Sequence, residues 1–66
     1  MIESDECNEF LNERVGVGVA NFENGGIFYY YGILLEVTTQ YVKIKMDIGY
    51  KQINLEEIIE IKTARK

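Results

Sequence analysis

Residues 41–46 alternate cleanly, with Val42, Ile44 and Met46 on one side and Tyr41, Lys43 and Lys45 on the other. That period of two is the signature of a strand with one buried face. Upstream, Val15, Val17 and Val19 alternate with Gly16, Gly18 and Ala20, which predicts a strand with one bare face. Glycine inside a strand marks a sharp bend or the close approach of another element, so this strand either coils strongly or lies beneath something. Residues 21–26, NFENGG, hold the Asn-Gly pair that supplies positive φ at little steric cost, and predict a loop.

The segment 27–37 is apolar on both sides. Ile27, Tyr29, Tyr31, Ile33, Leu35 and Val37 share one face, and Phe28, Tyr30, Gly32, Leu34 and Glu36 share the other. One face can enter a core; the other needs the N-terminal helix, a second subunit or a ligand, because contiguous bare apolar patches are uncommon on monomers. Gly32, near the middle, is where a bend lets one strand serve both sides of a small barrel. Residues 47–49 then predict a tight hairpin into a short strand at 50–54, a single helical turn follows at 54–57, and a closing strand at 58–62 completes the pattern.

Before the strands, Cys7, Phe10 and Leu11 fall on one face at helical spacing, which predicts a helix over 4–12 capped by Ser4, with Asp5 and Glu6 favoured in its first turn. A helix this short must dock on the strands to persist. The reading is therefore one domain over 1–66, mainly β: a five-stranded, strongly bent small barrel over 15–62 with a short N-terminal α-helix.

At 66 residues the core is small, and such domains are usually supplemented by disulfides, a metal or oligomerisation. One cysteine and no histidine leave oligomerisation. Residues 1–13 carry five carboxylates and no base, whereas the remainder carries seven bases against six acids. The acidic net charge of −4 argues against a duplex-DNA binder, whose affinity comes mostly from neutralised phosphates. A lone cysteine and the lack of a signal-peptide pattern in the first residues lead us to expect a cytoplasmic protein, and no apolar run approaches the roughly 20 residues of a membrane helix. No nucleophile with a base, paired catalytic carboxylates or cofactor loop stands in the chain, so no enzyme, cofactor or metal is expected. Gly16-Val17-Gly18 runs into a strand rather than a helix and lacks the context of a phosphate-binding turn.

A helix followed by five strands, a long second strand with Gly32-Ile33-Leu34 through Val37, and the closing NLEEIIEI segment together resemble the Sm-like (Lsm and Hfq) family of small β-barrels. Src-homology-3-like barrels share much of the plan without the helix. The Sm-like resemblance implies a homo-oligomeric ring made by edge pairing, with single-stranded RNA bound around its pore. Where that family places its nucleotide-contacting aspartate and asparagine, this chain has Thr38 and Tyr41 or Val42.

Tyr41, Lys43 and Lys45 put an aromatic ring and two ammonium groups on one outward face, which is what sequence-tolerant binding of single-stranded RNA requires. Lys51 extends that set, and Lys62, Arg65 and Lys66 could join it. The same alternation also describes an ordinary solvated strand whose lysines protect an edge. The candidate interface is Phe28, Tyr30 and Leu34 from the long strand with Phe10 and Leu11 from the helix. Those aromatics carry the alternative reading, an SH3-like protein interaction or assembly module with no nucleic-acid role. Glu56, Glu57 and Glu60 with Asp47 lack the ligand pattern of a calcium loop and read as a solvated acidic turn.

Overall fold

The computed structural model describes residues 2–21, 23 and 25–64. In chain order these form α1 (Ser4–Asn8), β1 (Arg14–Asn21), β2 (Gly26–Val37), β3 (Tyr41–Lys45), β4 (Tyr50–Asn54), a 3-10 turn (Leu55–Glu57) and β5 (Ile58–Thr63). The strands make one open antiparallel sheet in the order β4-β3-β2-β1-β5. The mainly β expectation is met, with each strand close to where the alternation placed it.

The helix is shorter than its stripe predicted, and Ser4 is its first residue rather than its cap. Glu3 occupies the cap position without a side-chain hydrogen bond. Beyond Asn8 the backbone leaves the helix because it finds partners in the sheet: Asn12 turns at φ 70°, its amide donates to the Leu34 carbonyl at 2.7 Å, and Leu34 donates to the Glu13 carbonyl at 2.9 Å. Cys7 is buried and Phe10 half-buried against the core, while Leu11 stays exposed.

Val15, Val17, Leu34, Val42 and Ile44 form the centre of the core, joined by Ile2, Cys7, Ile53, Leu55 and Ile58. Among the described residues no polar or charged side chain is buried. At Gly32 the backbone at the end of β3 lies so close that a Cβ there would come within 2.5 Å of the Lys45 carbonyl oxygen. Two residues further on, the register between β2 and β3 begins to slip, between Leu34 and Glu36. This bulge corrects the predicted faces of β2: Glu36 goes outward to oppose Lys43, and Val37 turns inward to oppose Val42. An extra unpaired residue reverses the alternation beyond it.

The connections follow local chemistry. In the β2–β3 turn the Thr38 hydroxyl accepts from the amides of Gln40 and Tyr41 at 3.1 and 3.0 Å, a side-chain mimic of a backbone turn. Between β3 and β4, Gly49 takes φ +76° and its carbonyl accepts from the Met46 amide at 2.9 Å. In the β1–β2 turn Gly25 takes φ +73°, as the Asn-Gly-Gly run requires, while Phe22 and Asn24 lie outside the described residues.

A candidate nucleic-acid interface on the outer face of the third and fourth strands

The register of β3 against β4 decides which predicted site residues meet. Tyr41 opposes Asn54, Lys43 opposes Gln52, and Lys45 opposes Tyr50. Val42, Ile44 and Ile53, the residues between, are buried, so Tyr41, Lys43, Lys45, Tyr50, Gln52 and Asn54 share the outer face. Tyr50 is 63% exposed. Lys43 has Glu36 across from it in register, yet its Nζ lies 5.4 Å from the Tyr50 ring centroid, close enough for a cation–π contact. The face therefore presents two tyrosine rings and two ammonium groups within two adjacent strands. Tyr50 was not among the residues anticipated here, because its side depends on the hairpin register, which alternation within one strand does not fix.

Lys51 does not belong to this face. It opposes the buried Ile44, so it leaves the sheet on the core side, and its Nζ sits 5.1 Å from the Tyr30 ring centroid. There Phe28 and Tyr30 meet edge to face at 4.8 Å, with Phe28 half exposed. Of the predicted interface set, Phe28 and Tyr30 thus cluster at an open end of the core. Leu34 is removed from that set: it is fully buried among the valines and has no surface to offer. Phe10 and Leu11 follow the helix and its turn, apart from the Phe28 cluster. Lys62 lies elsewhere, over the Tyr29 ring at 4.4 Å, and Arg65 and Lys66 lie outside the described residues.

A cleft of about 550 Å³ opens beside the Tyr41 end of the outer face. Glu3, Ser4, Thr39, Gln40, Asn54 and Glu56 line it above Ile2 and Leu55. Its two carboxylates disfavour a phosphate, whereas its amides and hydroxyls suit the donors and acceptors on the edge of a base. At the cleft wall Asn54 donates to Glu57 at 3.3 Å, and elsewhere Tyr29 donates to Glu60 at 3.0 Å. Among the described residues no three carboxylate or thiol side chains gather as metal ligands.

Burial raises the Cys7 thiol pKa, and the neighbouring Glu6 charge raises it further, so the thiol stays protonated and unreactive. The Tyr29 phenol is also raised, chiefly by its hydrogen bond to Glu60. Among the described residues no helix is long and apolar enough to cross a membrane.

Comparison with protein-family models, with curated proteins and with solved structures yields no match.

Proposed function

We propose that the protein is a noncatalytic, Sm-like barrel module that assembles with copies of itself and holds single-stranded RNA on the outer face of β3 and β4. The observation that carries this reading is the convergence of Tyr41, Lys43, Lys45 and Tyr50 on one exposed surface. Rings supply stacking that every base accepts, and ammonium groups supply phosphate neutralisation. A base passing Tyr41 meets the amides of Asn54 and Gln40 at the cleft mouth. Support for the Sm-like kind comes from the leading helix, the long β2 with Gly32 pressed against the β3 backbone, and the 3-10 turn before β5. Support for self-assembly comes from the two outer strands of the open sheet, β4 and β5, whose free edges suit strand addition.

The test is fluorescence anisotropy with a labelled single-stranded RNA at low salt. Reversing Lys43 and Lys45 to glutamate should weaken binding by tenfold or more and reduce the salt slope by about 1.4, the value for two lost phosphate contacts on a single strand. Tyr50→Ala should cost about 1–3 kcal/mol, the worth of one stacked base. Absence of binding, or binding indifferent to these changes, removes the RNA reading.

A second reading is favoured by one observation, the half-exposed Phe28 packed on Tyr30 beneath Lys51. An aromatic step with a cation suits an SH3-like module that takes a peptide. In that case Phe28→Ala abolishes peptide capture while the double lysine reversal leaves it intact.

A further inference from the structure

The outer face of β2, β1 and β5 is the apolar face whose cover the sequence left open, and α1 does not supply it, since Cys7 and Phe10 pack on the core side. Tyr31 and Tyr29 lie across the two glycines of β1 instead. A Cβ at Gly16 would meet the Tyr31 ring at 2.8 Å, and one at Gly18 would meet the Tyr29 ring at 2.9 Å. Covering a glycine with a ring from the adjacent strand stabilises the pair and accounts for the two tyrosines. It does not account for Ile27 and Ile33, which flank them on the same face at 44% and 37% exposure, or for Tyr31 at 48%.

The order of residues on this face has a symmetry. Its centre is marked by Val17, Tyr30 and Ile61, one row across the three strands whose side chains point to the core side. One step to one side stand Gly18, Tyr29 and Glu60; one step to the other stand Gly16, Tyr31 and Lys62. Three steps out, Ile27 beside Ala20 on one side answers Ile33 beside Arg14 on the other. The face is thus palindromic in shape about the Val17 row, glycine for glycine, tyrosine for tyrosine and isoleucine for isoleucine. It is antisymmetric in charge, Glu60 for Lys62.

We infer that this face packs on the same face of a second copy about a two-fold axis lying between the sheets, perpendicular to the strands and over the Val17 row. That operation sets Tyr29 over Tyr31 of the second copy and Ile27 over its Ile33. It also sets Glu60 against Lys62 of the second copy and Ala20 beneath its Arg14. The Glu60–Lys62 contact and the Ala20–Arg14 contact each occur twice, as an isologous interface requires. Stacked sheets cross at about 30°, and because β1 is the middle strand this moves β5 by only about 2–3 Å, within the reach of the two long side chains. Three strands about 4.8 Å apart over six residue steps of about 3.3 Å cover on the order of 300 Å² per copy, below the ~800 Å² of a standard interface, so the dimer is weak and transient. The interface goes beyond the proposed RNA module, sharing neither its β3–β4 face nor the β4 and β5 edges.

A charge-swap pair tests it. Glu60→Lys alone sets a lysine against Lys62 of the second copy at both contacts, and Lys62→Glu alone sets two glutamates together at both. Sedimentation equilibrium should show each variant dimerising about tenfold or more weakly than the parent at low salt, and the equimolar mixture recovering parental affinity. Native mass spectrometry should find the recovered species to be the one-to-one heterodimer. Circular dichroism checks that both variants fold, and Ile27→Asp, which leaves the charges in place, should abolish dimerisation in either background. A mixture no tighter than its separate components, or single variants that dimerise like the parent, overturns the proposal. RNA anisotropy is read separately, since its face lies on β3 and β4, and Ile27→Asp separates this interface from edge pairing, since Ile27 lies on neither edge strand.

Discussion

Gly32→Ala is the sharpest probe of the close approach of β2 to β3. The added methyl would lie 2.5 Å from the Lys45 carbonyl oxygen, 3.0 Å from its carbon and 3.4 Å from the Met46 Cα. That is about 0.8 Å short of an ordinary C···O contact, and every obstructing atom is backbone, so relief requires β3 to move off β2. Overpacking of this kind costs about 1–3 kcal/mol, and weakening neighbouring ladder bonds adds about 1 kcal/mol each. Against this stands a gain of about 0.5–1 kcal/mol from replacing a strand glycine. The net loss is about 2–4 kcal/mol, out of a total of about 3–10 kcal/mol for a chain of this length. Gly16→Ala is the control, because its added methyl meets only the Tyr31 ring, which can swing outward, so its loss should stay below about 1 kcal/mol. Urea denaturation separates the two. With m near 1 kcal/mol/M the Gly32→Ala midpoint should fall by about 2 M or the variant should be unfolded in buffer. A Gly32→Ala midpoint within about 0.5 M of the parent, or an equal loss at Gly16, would refute the argument that β2 is packed directly against backbone at Gly32.

Leu34→Ala removes a fully buried side chain at the centre of the core and should cost about 2–5 kcal/mol by chemical denaturation. Cys7 should resist a thiol reagent in the folded protein and react only through unfolding, with labelling kinetics that follow global stability across a urea series. The raised thiol and Tyr29 phenol set the sign of alkaline behaviour. Below the ordinary thiol pKa both states hold the proton and nothing is lost; above it the unfolded chain gives the proton up first, so stability falls as pH rises. Denaturation midpoints measured on both sides of that range should show the decline, and Cys7→Ala should lessen it.

How much of this was legible in the residues depended on whether the signal was local. Val42, Ile44 and Met46 against Tyr41, Lys43 and Lys45 needed only alternation, and β3 came out as read. The faces of β2 were read correctly as far as Leu34 and wrongly after it, because the bulge belongs to the hydrogen-bonded pair and not to either strand alone. Lys51 was assigned to the wrong side for a related reason: the parity of β4 against β3 is set by the Met46–Gly49 turn. The bare face of Gly16 and Gly18 was visible, but the tyrosines that fill it come from the neighbouring strand and need the register. Asn12 ends the helical stripe through a backbone bond to Leu34, a contact separated by 22 positions in the chain.

The pairing of β1 with both β2 and β5 has a consequence for how the chain is made. β1 can zip to β2 as soon as β2 itself has emerged from the ribosome. Its other edge stays open until Ile58–Thr63 has been synthesised, and Ile2 waits equally long for Leu55, its neighbour in the cleft. Non-local closure of this kind is slow, on the order of milliseconds to seconds. During translation the nascent chain therefore carries an unsatisfied strand edge beside the apolar Ile27–Ile33 stripe, and that interval is when it is most exposed to chaperones and to wrong partners.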